Sequence, residues 1–324
     1  MAAVSSLADE SPVREFALDV RTGLNKVRKE LPSKYLYDAV GSALFDAITV
    51  LPEYGLTRAD ERLLKECAGE VARRLGYPVT VAELGIGSGR KTKPILQAIA
   101  SRRPFLSFFA IDVSSAALDR CTRELSGVHG LSVHTIQRSY LDGLHHVRSR
   151  SASPGNLLVL FLGSTIGNFD RAQALSFLAQ IRRELVPGDA LLLGADLVKP
   201  RSQLLLAYDD PAGITAAFNL NLLCRINREL GADFEVRNFR HQARWLPEER
   251  RIEMHLESLS RQMVTITGAD CRVSLLAGET IHTESSHKFD PAELSSMAAI
   301  AGFQAAAQWT DQEWPFAENL WIVR

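Results

Sequence analysis

The sequence predicts an α/β fold in which a mostly parallel sheet carries helices on both faces. From Val79 onward, apolar runs of strand length alternate with helical segments. The first run leads into a loop with Gly85, Gly87 and Gly89 before a helix, and the next run ends on Asp112. A glycine-rich turn between a strand and a helix, followed after about twenty residues by an acid, is typical of nucleotide-binding α/β proteins.

The remaining elements of this fold follow in a regular order. Further strands are predicted at Leu106–Asp112, Leu131–Ile136, Leu157–Leu162, Ala190–Leu197, Phe303–Thr310 and Asn319–Val323. Helices are predicted from Thr57 to Leu75, after Thr92, and at Ser115–Leu125, Asp170–Leu185 and Pro291–Ala301. The last two strands are joined by a short loop, which predicts an antiparallel hairpin at one edge of a seven-stranded sheet.

The N-terminal region precedes this alternation. Residues 1–14 are small and polar and are predicted to be loose, and a helix is predicted over Phe16–Glu30, before Pro32. Thr57–Asp60 resembles a capping box, with Asp in place of the usual Glu, that opens the helix ending near Leu75.

Between Lys199 and Phe289 the strand–helix alternation breaks. A long amphipathic helix is predicted over Ile214–Leu230, and strand candidates follow at Ile252–Glu257 and Arg272–Ile281. This predicts a second, smaller α+β domain inserted into the first. We expect residues 61–198 plus 287–324 to form the nucleotide-binding domain and residues 15–60 plus 199–286 to form a substrate-binding lid.

The composition excludes several classes of protein. The formal net charge of −1 gives no electrostatic reason to expect a nucleic acid partner. The four cysteines form no CxxC pair, so neither a zinc site nor a redox pair is indicated, and no metal is expected. No basic region followed by an apolar one opens the chain, and no apolar run approaches membrane-spanning length. A cytoplasmic protein is expected.

Two loops are predicted to face a ligand. The glycine loop lacks the full dinucleotide spacing, so it favours an adenosyl-type cofactor without requiring a pyrophosphate; a purely structural turn with a chance acid is the alternative. Gly163–Asn168 follows the fourth strand, and in a parallel sheet such a loop lies at the same edge as the glycine loop.

Several short motifs, taken together, carry a family resemblance. They are Tyr35–Asp38, Gly41–Ser42, Leu51–Tyr54, Thr57–Arg58, Phe161–Asn168, Ala207–Asp210, Arg251–Met254 and Thr283–Phe289. In this order and spacing, over nearly the whole chain, they resemble the histidine-specific methyltransferase family. The resemblance implies a monomeric class I enzyme with a Rossmann-like sheet. It also implies S-adenosyl-L-methionine as cofactor and trimethylation of the α-amino group of L-histidine to hercynine, the first step of ergothioneine biosynthesis.

The resemblance also implies roles for individual residues. The cofactor would be bound by Gly85, Gly87, Lys91, Asp112, Ser139 and Tyr140. Asn168 and Tyr208 would bind the substrate carboxylate, and Tyr37 would lie near the amine, so that Tyr37 and Asn168 are the catalytic candidates. The imidazole ring would be bound by Tyr54, Met254, Glu284 and Ser286, with Gly163 and Thr165 in the adjoining loop.

The chemistry of methyl transfer is consistent with these roles. A sulfonium methyl group needs a neutral amine in line with it, so catalysis is mostly positioning and requires no nucleophilic side chain. Tyr37 or a water could take the ammonium proton, although a phenol is a weak base at neutral pH. Glu284 and Ser286 are two residues apart and share one face of an extended segment, where a carboxylate could accept from an imidazole N–H.

Some positions keep more than one interpretation. Met254 shares a face with Ile252 and Leu256, so core packing explains it as well as a pocket wall does. His255 and His287 are expected to be surface or strand-edge residues rather than general bases. The family usually has an acid that meets the adenine amine at the position of Ser139; Ser139 could accept that bond, or Asp142 could reach it.

Three alternative functions remain open at this stage. The chain could methylate another aromatic amino acid such as tryptophan, although the acid at Glu284 argues against an indole. It could be a dehydrogenase with a Rossmann fold, or a non-catalytic nucleotide-binding module.

Overall fold

The computed structural model describes residues 10–76, 79–102, 105–150 and 156–324, which form two compact units. Unit 1 contains the described residues up to Tyr54 together with Pro200–Ser286, and unit 2 contains Gly55–Lys199 together with His287–Arg324. Residues 55–60, expected in the lid, belong to unit 2, because one continuous helix runs from Leu56 to Arg74.

The elements are numbered in chain order. The helices are α1 Glu10–Leu24, α2 Ala39–Thr49, α3 Leu56–Arg74, α4 Lys93–Ala100, α5 Ser115–Leu125, α6 Tyr140–Arg150, α7 Arg171–Glu184, α8 Arg201–Tyr208, α9 Ile214–Leu230 and α10 Pro291–Ile300. The strands are β1 Thr80–Leu84, β2 Leu106–Asp112, β3 Leu131–Gln137, β4 Leu157–Phe161, β5 Ala190–Asp196, β6 Phe239–Leu246, β7 Arg251–Ser258, β8 Gln262–Ile266, β9 Cys271–Leu275, β10 Thr280–His287, β11 Gln304–Thr310 and β12 Phe316–Ile322. No helix in the described ranges is both long enough and apolar enough to cross a membrane.

Unit 2 is built on a seven-stranded sheet in the order β11-β12-β5-β4-β1-β2-β3. The strands β1 to β5 pair in parallel, and β12 is antiparallel to both β5 and β11. Every residue of β4 is buried, as expected for a parallel strand covered on both faces, whereas the edge strand β3 exposes four of its seven residues. The predicted sheet with an antiparallel last hairpin is confirmed.

Two apolar layers cover the faces of this sheet. One includes Leu64 and Val71 of α3 with Ile95 of α4 and Leu118 of α5. The other includes side chains of α6, α7 and α10, among them Leu178. The predicted helix boundaries on α5, α7 and α10 agree with the structure to within one residue at each end, but α6 was not predicted.

Unit 1 combines helices with two small sheets. Three strands pair in the order β10-β7-β6, and β8 with β9 forms a separate two-stranded sheet. The helix α9 has the predicted bounds, buries the predicted stripe from Phe218 to Leu230, and ends at Gly231 with φ of 59°. The helices α2 and α8 were not predicted.

The N-terminal prediction was partly wrong. Residues 1–9 lie outside the described residues, but residues 10–14 are helical rather than loose, and α1 ends at Leu24 rather than near Glu30. The backbone turns at Gly23 so that Glu30 can form a parallel bridge with His282. A Cβ on Gly23 would lie 2.1 Å from the Glu30 carbonyl oxygen, so this return requires a glycine.

Two further predictions, a capping box at the start of α3 and a single strand over residues 272–281, were wrong. The helix α3 begins after Gly55 without a side-chain cap, and Thr57 and Asp60 lie buried inside it, so the expected capping box does not form. The stretch Arg272–Ile281 is not one strand: β9 ends at Leu275, the chain turns at Gly278 with φ of 82°, and β10 pairs in a different sheet.

A buried group of side chains in unit 2, which we call the connection cluster, consists of Asp196, Lys199, Lys288 and Trp314. The Asp196 carboxylate forms ion pairs with Lys199 and, at 2.8 Å, with Lys288, and it accepts a hydrogen bond from Trp314 Nε1 at 3.1 Å. Beside it, Leu197 and Phe289 form a parallel β-bridge. The residues that precede Pro200 and follow Ser286 are therefore joined to each other.

Candidate functional site

The glycine loop of unit 2 has the backbone geometry that a close ligand requires. Gly85, Gly87 and Gly89 have φ of 77°, 56° and 74°, which is the left-handed region that favours glycine. A Cβ on Gly87 would have no atom within 4 Å, so the space beside this backbone is open, whereas a Cβ on Gly85 would meet the Tyr140 ring at 3.1 Å. The loop thus leaves its backbone accessible to a flat nucleoside.

Asp112 is held against this loop by backbone donors. It is the last residue of β2, and its carboxylate accepts hydrogen bonds from Gly87 N at 3.2 Å and Ser114 N at 2.9 Å. Partial burial raises the pKa of the carboxyl group above its ordinary value. The remaining lone pairs suit the hydroxyl donors of a ribose, so the loop and the acid together fit an adenosyl group.

Lys91 brings together two segments that are distant in sequence. Its Nζ pairs with Asp60 Oδ2 of α3 at 2.7 Å. The same Nζ would be 2.7 Å from a Cβ on Gly163, so this glycine gives the lysine its room. The structure therefore places Lys91 and Gly163 side by side, and an ammonium group here is suited to a carboxylate such as that of a cofactor's methionine end.

Sequence reasoning missed the acids around Lys91. Asp60 lies on the apolar side of α3, three residues before Leu63 and seven before Cys67, and Glu83 lies in an otherwise apolar strand. Both are buried, and Glu83 accepts a hydrogen bond from the hydroxyl of Thr92. A charged residue within an apolar stripe was the signal that could have found them.

Ser139 and Tyr140 differ in what they offer. The exposed Ser139 hydroxyl donates to Asp142 Oδ2 at 2.5 Å and accepts from Asp142 N at 3.4 Å, which leaves one lone pair of its oxygen for a further donor. The Tyr140 ring packs edge-on against Phe161 at 5.6 Å and against Phe177 at 6.1 Å, and burial raises the pKa of its hydroxyl to about 12. Tyr140 is therefore an uncharged wall beside the glycine loop.

The loop Gly163–Asn168 is fixed by a contact with β5 and by its own turn. Ser164 has φ of 60°, and its hydroxyl oxygen accepts from Asp196 N at 2.9 Å. Thr165 Oγ1 donates to the Leu162 carbonyl at 3.0 Å, so its hydroxyl is used within the turn. Asn168 ends this turn and is exposed, which leaves its amide accessible.

In unit 1 the structure brings together three of the predicted substrate residues. Tyr208 at the end of α8 donates its hydroxyl to Ser286 Oγ at 2.7 Å, and its ring meets that of Tyr54 at a centroid distance of 6.2 Å. Tyr37 joins the same aromatic group through Phe45, with a Tyr37–Phe45 centroid distance of 5.4 Å.

Met254 and Glu284 lie on neighbouring strands of the three-stranded sheet. Met254 is buried in β7, and its carbonyl oxygen accepts a hydrogen bond from the Thr283 hydroxyl at 3.0 Å. Glu284 follows Thr283 in β10 and is half-buried. The two residues therefore lie on neighbouring strands, with the methionine buried and the acid half-buried.

Buried histidines support the Tyr208 region and were not predicted. Asn219 donates its amide to His241 Nδ1 at 2.9 Å, so that His241 Nε2 donates to the Tyr208 carbonyl at 2.8 Å. Burial lowers the pKa of His241, which keeps the ring neutral. His255 bonds Glu253 at 2.9 Å, and burial lowers its pKa to about 4.

The expectation that His255 and His287 are surface or strand-edge residues was wrong in part. Both are buried. His255 is on β7, the central strand of its sheet, and His287 is the last residue of β10.

The chain matches a known family over almost its full length. Residues 16–323 match the family described as histidine-specific methyltransferase, SAM-dependent. The chain is 40% identical over 318 residues to the histidine N-alpha-methyltransferase of Mycolicibacterium smegmatis, covering 97% of each chain. It is 43% identical over 309 residues to the enzyme of that name from Mycobacterium tuberculosis, covering 93% of each chain. It is also 37% identical over 218 residues to ergothioneine biosynthesis protein 1 of Schizosaccharomyces pombe, covering 63% of this chain and 27% of that longer protein.

Proposed function

Because this chain belongs to the SAM-dependent, histidine-specific methyltransferase family, we propose that it trimethylates the α-amino nitrogen of L-histidine to hercynine, the first step of ergothioneine biosynthesis. The match over residues 16–323 carries this proposal, because it spans both units. The cofactor is S-adenosylmethionine, which supplies an electrophilic methyl group on a sulfonium sulfur.

The residues of unit 2 are assigned to the cofactor. Gly85 and Gly87 would approach it with bare backbone, Asp112 would accept from the ribose hydroxyls, and Lys91 would pair with the methionine carboxylate. Ser139 and Tyr140 would lie at the adenine. The open space beside Gly87 and the acceptor capacity of Asp112 support this assignment.

The residues of unit 1 are assigned mainly to the two ends of histidine. Glu284 and Ser286 would bind the imidazole N–H and ring nitrogen, with Tyr54 and Met254 against the ring faces. Tyr208 has a single hydroxyl proton, so on substrate binding it would exchange its bond to Ser286 for one to the substrate carboxylate. The Tyr208–Ser286 hydrogen bond supports this assignment, because it brings the two hydroxyl groups to 2.7 Å of each other.

Residues of unit 2 complete the proposed substrate contacts. Asn168 would hold the substrate carboxylate with its exposed amide, next to Gly163 and Thr165 in the same turn.

Holding histidine by its ends explains how a site can methylate one nitrogen three times. The amine must be neutral to react, so each round requires loss of a proton, which Tyr37 or a water would accept. After two methylations the nitrogen has no N–H left to donate. Binding energy must then come from the carboxylate and the ring, so contacts that do not change between rounds are the ones to retain.

An assay by mass spectrometry tests the proposed reaction. The full chain is incubated with L-histidine and S-adenosylmethionine, and we expect products one, two and three methyl groups heavier, ending in hercynine. Tryptophan in excess should compete weakly, because an indole offers the Glu284 carboxylate a poorer fit. Methylation of tryptophan in preference to histidine, or binding without turnover, would overturn the proposal.

The proposed enzyme is also expected to act as a cytoplasmic monomer. Light scattering during size-exclusion chromatography would test the oligomeric state, with a mass near 35.8 kDa expected. A mass of twice that value would contradict it.

A further inference from the structure

Lys91 is surrounded by more acids than it can neutralise. We call Asp60, Glu83, Thr92 and Glu318, together with Lys91, the Lys91 cluster; all belong to unit 2. Asp60, Glu83 and Glu318 have at most 2% of their surface exposed. Three ionised carboxylates with a single ammonium would leave excess negative charge in a buried place, which is strongly unfavourable.

The hydrogen bonds of the cluster show where protons are needed. Asp60 Oδ2 forms an ion pair with the Lys91 ammonium. Asp60 Oδ1 and both carboxylate oxygens of Glu318 are buried and accept no hydrogen bond from any group among the described residues. Two ionised carboxylates cannot bond to each other. A single proton on one of them supplies the missing donor, and such sharing is the usual solution for neighbouring buried acids.

The surroundings of Glu318 favour its neutral form. Burial first, and then the charge of Asp60, raises the pKa of Glu318 well above its ordinary value. Burial likewise raises the pKa of Glu83 to about 8, although the Thr92 hydroxyl opposes this shift. The Lys91 ammonium is retained, since its pKa is raised by Asp60 despite the opposing effect of burial.

We propose that Glu318 is a positioning residue that keeps its proton and donates it to Asp60, so that Asp60 fixes Lys91 for the carboxylate of the cofactor. This proposal rests on the assignment of Lys91 to the methionine end. Asp60 then carries one negative charge for one ammonium, and the remaining N–H groups of Lys91 are available to the incoming carboxylate. Glu318 acts on the cofactor only through Asp60 and Lys91.

Two glycines keep the cluster tight. A Cβ on Gly194 would lie 2.9 Å from Glu318 Oε1, and a Cβ on Gly163 would lie 2.7 Å from Lys91 Nζ. The charged groups therefore have little space in which to move apart. Ionisation of Glu318 would therefore place a second negative charge next to Asp60 and Lys91. That charge would weaken the attraction of Lys91 for a bound carboxylate.

This arrangement predicts that cofactor binding weakens as the pH rises. Besides Glu83 within the cluster, the titratable groups that face it are Cys67 on α3 and Asp112 on β2. Burial raises the pKa of Cys67, which therefore stays a thiol. Glu318 and Glu83 remain as the groups that gain negative charge in the alkaline range, and two variants distinguish them.

The experiment is isothermal titration of the full chain with S-adenosylhomocysteine, without histidine, from about pH 6.5 to about pH 9.5. For the unaltered protein we expect Kd to rise about tenfold towards the alkaline end, because an ionised Glu318 would repel the ligand carboxylate. Glu318→Gln keeps a donor for Asp60 but cannot ionise, so its Kd should match the unaltered protein at the acid end and then change only as far as the ligand's own amino group requires. Glu83→Gln should retain the slope. The ligand's own amino group titrates identically in all three proteins.

A second ligand keeps the test independent of any variant. Decarboxylated S-adenosylhomocysteine retains the adenosine, thioether and amine but lacks the carboxylate, so its Kd should show none of the loss that the carboxylate ligand shows. Asp60→Asn should weaken S-adenosylhomocysteine binding at every pH.

Three results would overturn the proposal: a flat Kd for the unaltered protein, the same slope for Glu318→Gln, or the same slope for both ligands. Failure of the unaltered protein to bind S-adenosylhomocysteine at all would instead overturn the cofactor assignment.

Discussion

Units 1 and 2 hold their proposed ligand-binding residues by different forces. In unit 2, Lys91 and Asp112 are fixed by charges: an ion pair to Asp60 in one case and backbone N–H donors to a carboxylate in the other. In unit 1, Tyr208 is fixed by a neutral hydroxyl partner and by a neutral imidazole, His241. Side chains held by charged partners are suited to a cofactor that itself carries charged groups. Neutral supports suit a substrate whose amine must be bound without being kept protonated.

The largest expected difference between the two units is their loss of stability at acid pH. His255 in unit 1 has its pKa lowered by burial to about 4, so it contributes stability that is complete above its unfolded value of 6.5 and is lost as the pH falls towards 4. We expect a loss of about 3 kcal/mol from this residue alone by that point. Pulse-labelled hydrogen exchange after incubation at each pH should show β7 losing protection before β1.

Two variants serve as controls for the acid test. One should remove the loss of stability in acid, and the other concerns a residue whose stability contribution depends on pH in the opposite direction. His255→Asn cannot ionise and should flatten the acid dependence of β7. Glu83 in unit 2 has a pKa raised to about 8, so its contribution to the free energy of unfolding is complete below its ordinary pKa of 4.5 and is lost as the pH rises towards 8. Glu83→Gln should remove that loss. If β1 opened first in acid, the contrast between the units would be wrong.

A second test concerns the charged support in unit 2. Asp112→Ala removes the proposed ribose acceptor and the two backbone contacts that hold the glycine loop. We expect the Kd for S-adenosylmethionine to rise about 100-fold, because hydrogen bonds to a charged group are lost. Calorimetry measures this directly. Asp119→Ala, an exposed acid on α5, is the matched control and should bind as the unaltered chain does.

A third test concerns the single charge assigned to the substrate. Glu284→Ala should raise the KM for histidine about 30-fold and relax selectivity, because the imidazole N–H then loses a carboxylate acceptor. The Kd for S-adenosylmethionine should not change. Glu257→Ala, an acid on β7 that bonds Arg240, serves as the control. An unchanged KM in Glu284→Ala would remove this residue from the site.

The smallest expected effect belongs to a neutral side chain, Tyr208. Tyr208→Phe deletes the hydroxyl that donates to Ser286 and that we assign to the substrate carboxylate, and it should raise the KM for histidine about tenfold. Because the hydroxyl is uncharged and the carboxylate of histidine stays ionised around neutral pH, the change should be independent of pH in steady-state assays. A pH-dependent change would show that the substrate residues are coupled to an ionisable group after all.

The sheet could be predicted because its signals are local. Apolar runs fix the strands, and the rules for parallel connections fix the edge at which loops gather, so Gly85 and Asp112 were found from spacing alone. The Tyr208–Ser286 contact joins residues 78 positions apart, and only the family resemblance indicated both.

Where prediction failed, a distant partner decided the outcome. Asp60 has the spacing of a capping residue, but its partner is Lys91, 31 positions later. The stretch 272–281 has strand composition throughout, yet the turn at Gly278 sends its two halves to different sheets. Local propensity cannot contain such information, because the deciding free energy comes from burial and pairing with residues elsewhere in the chain.

The connection cluster has a consequence for how this architecture can be altered. Since Leu197 and Phe289 are bridged side by side, the segment 200–286 departs from and rejoins the sheet at adjacent points. Insertions with closely spaced ends are well tolerated by a host fold. A different segment could therefore be grafted between Lys199 and His287 while the seven strands stay as they are, so that new acceptor specificity need not require a new methyl-donor scaffold.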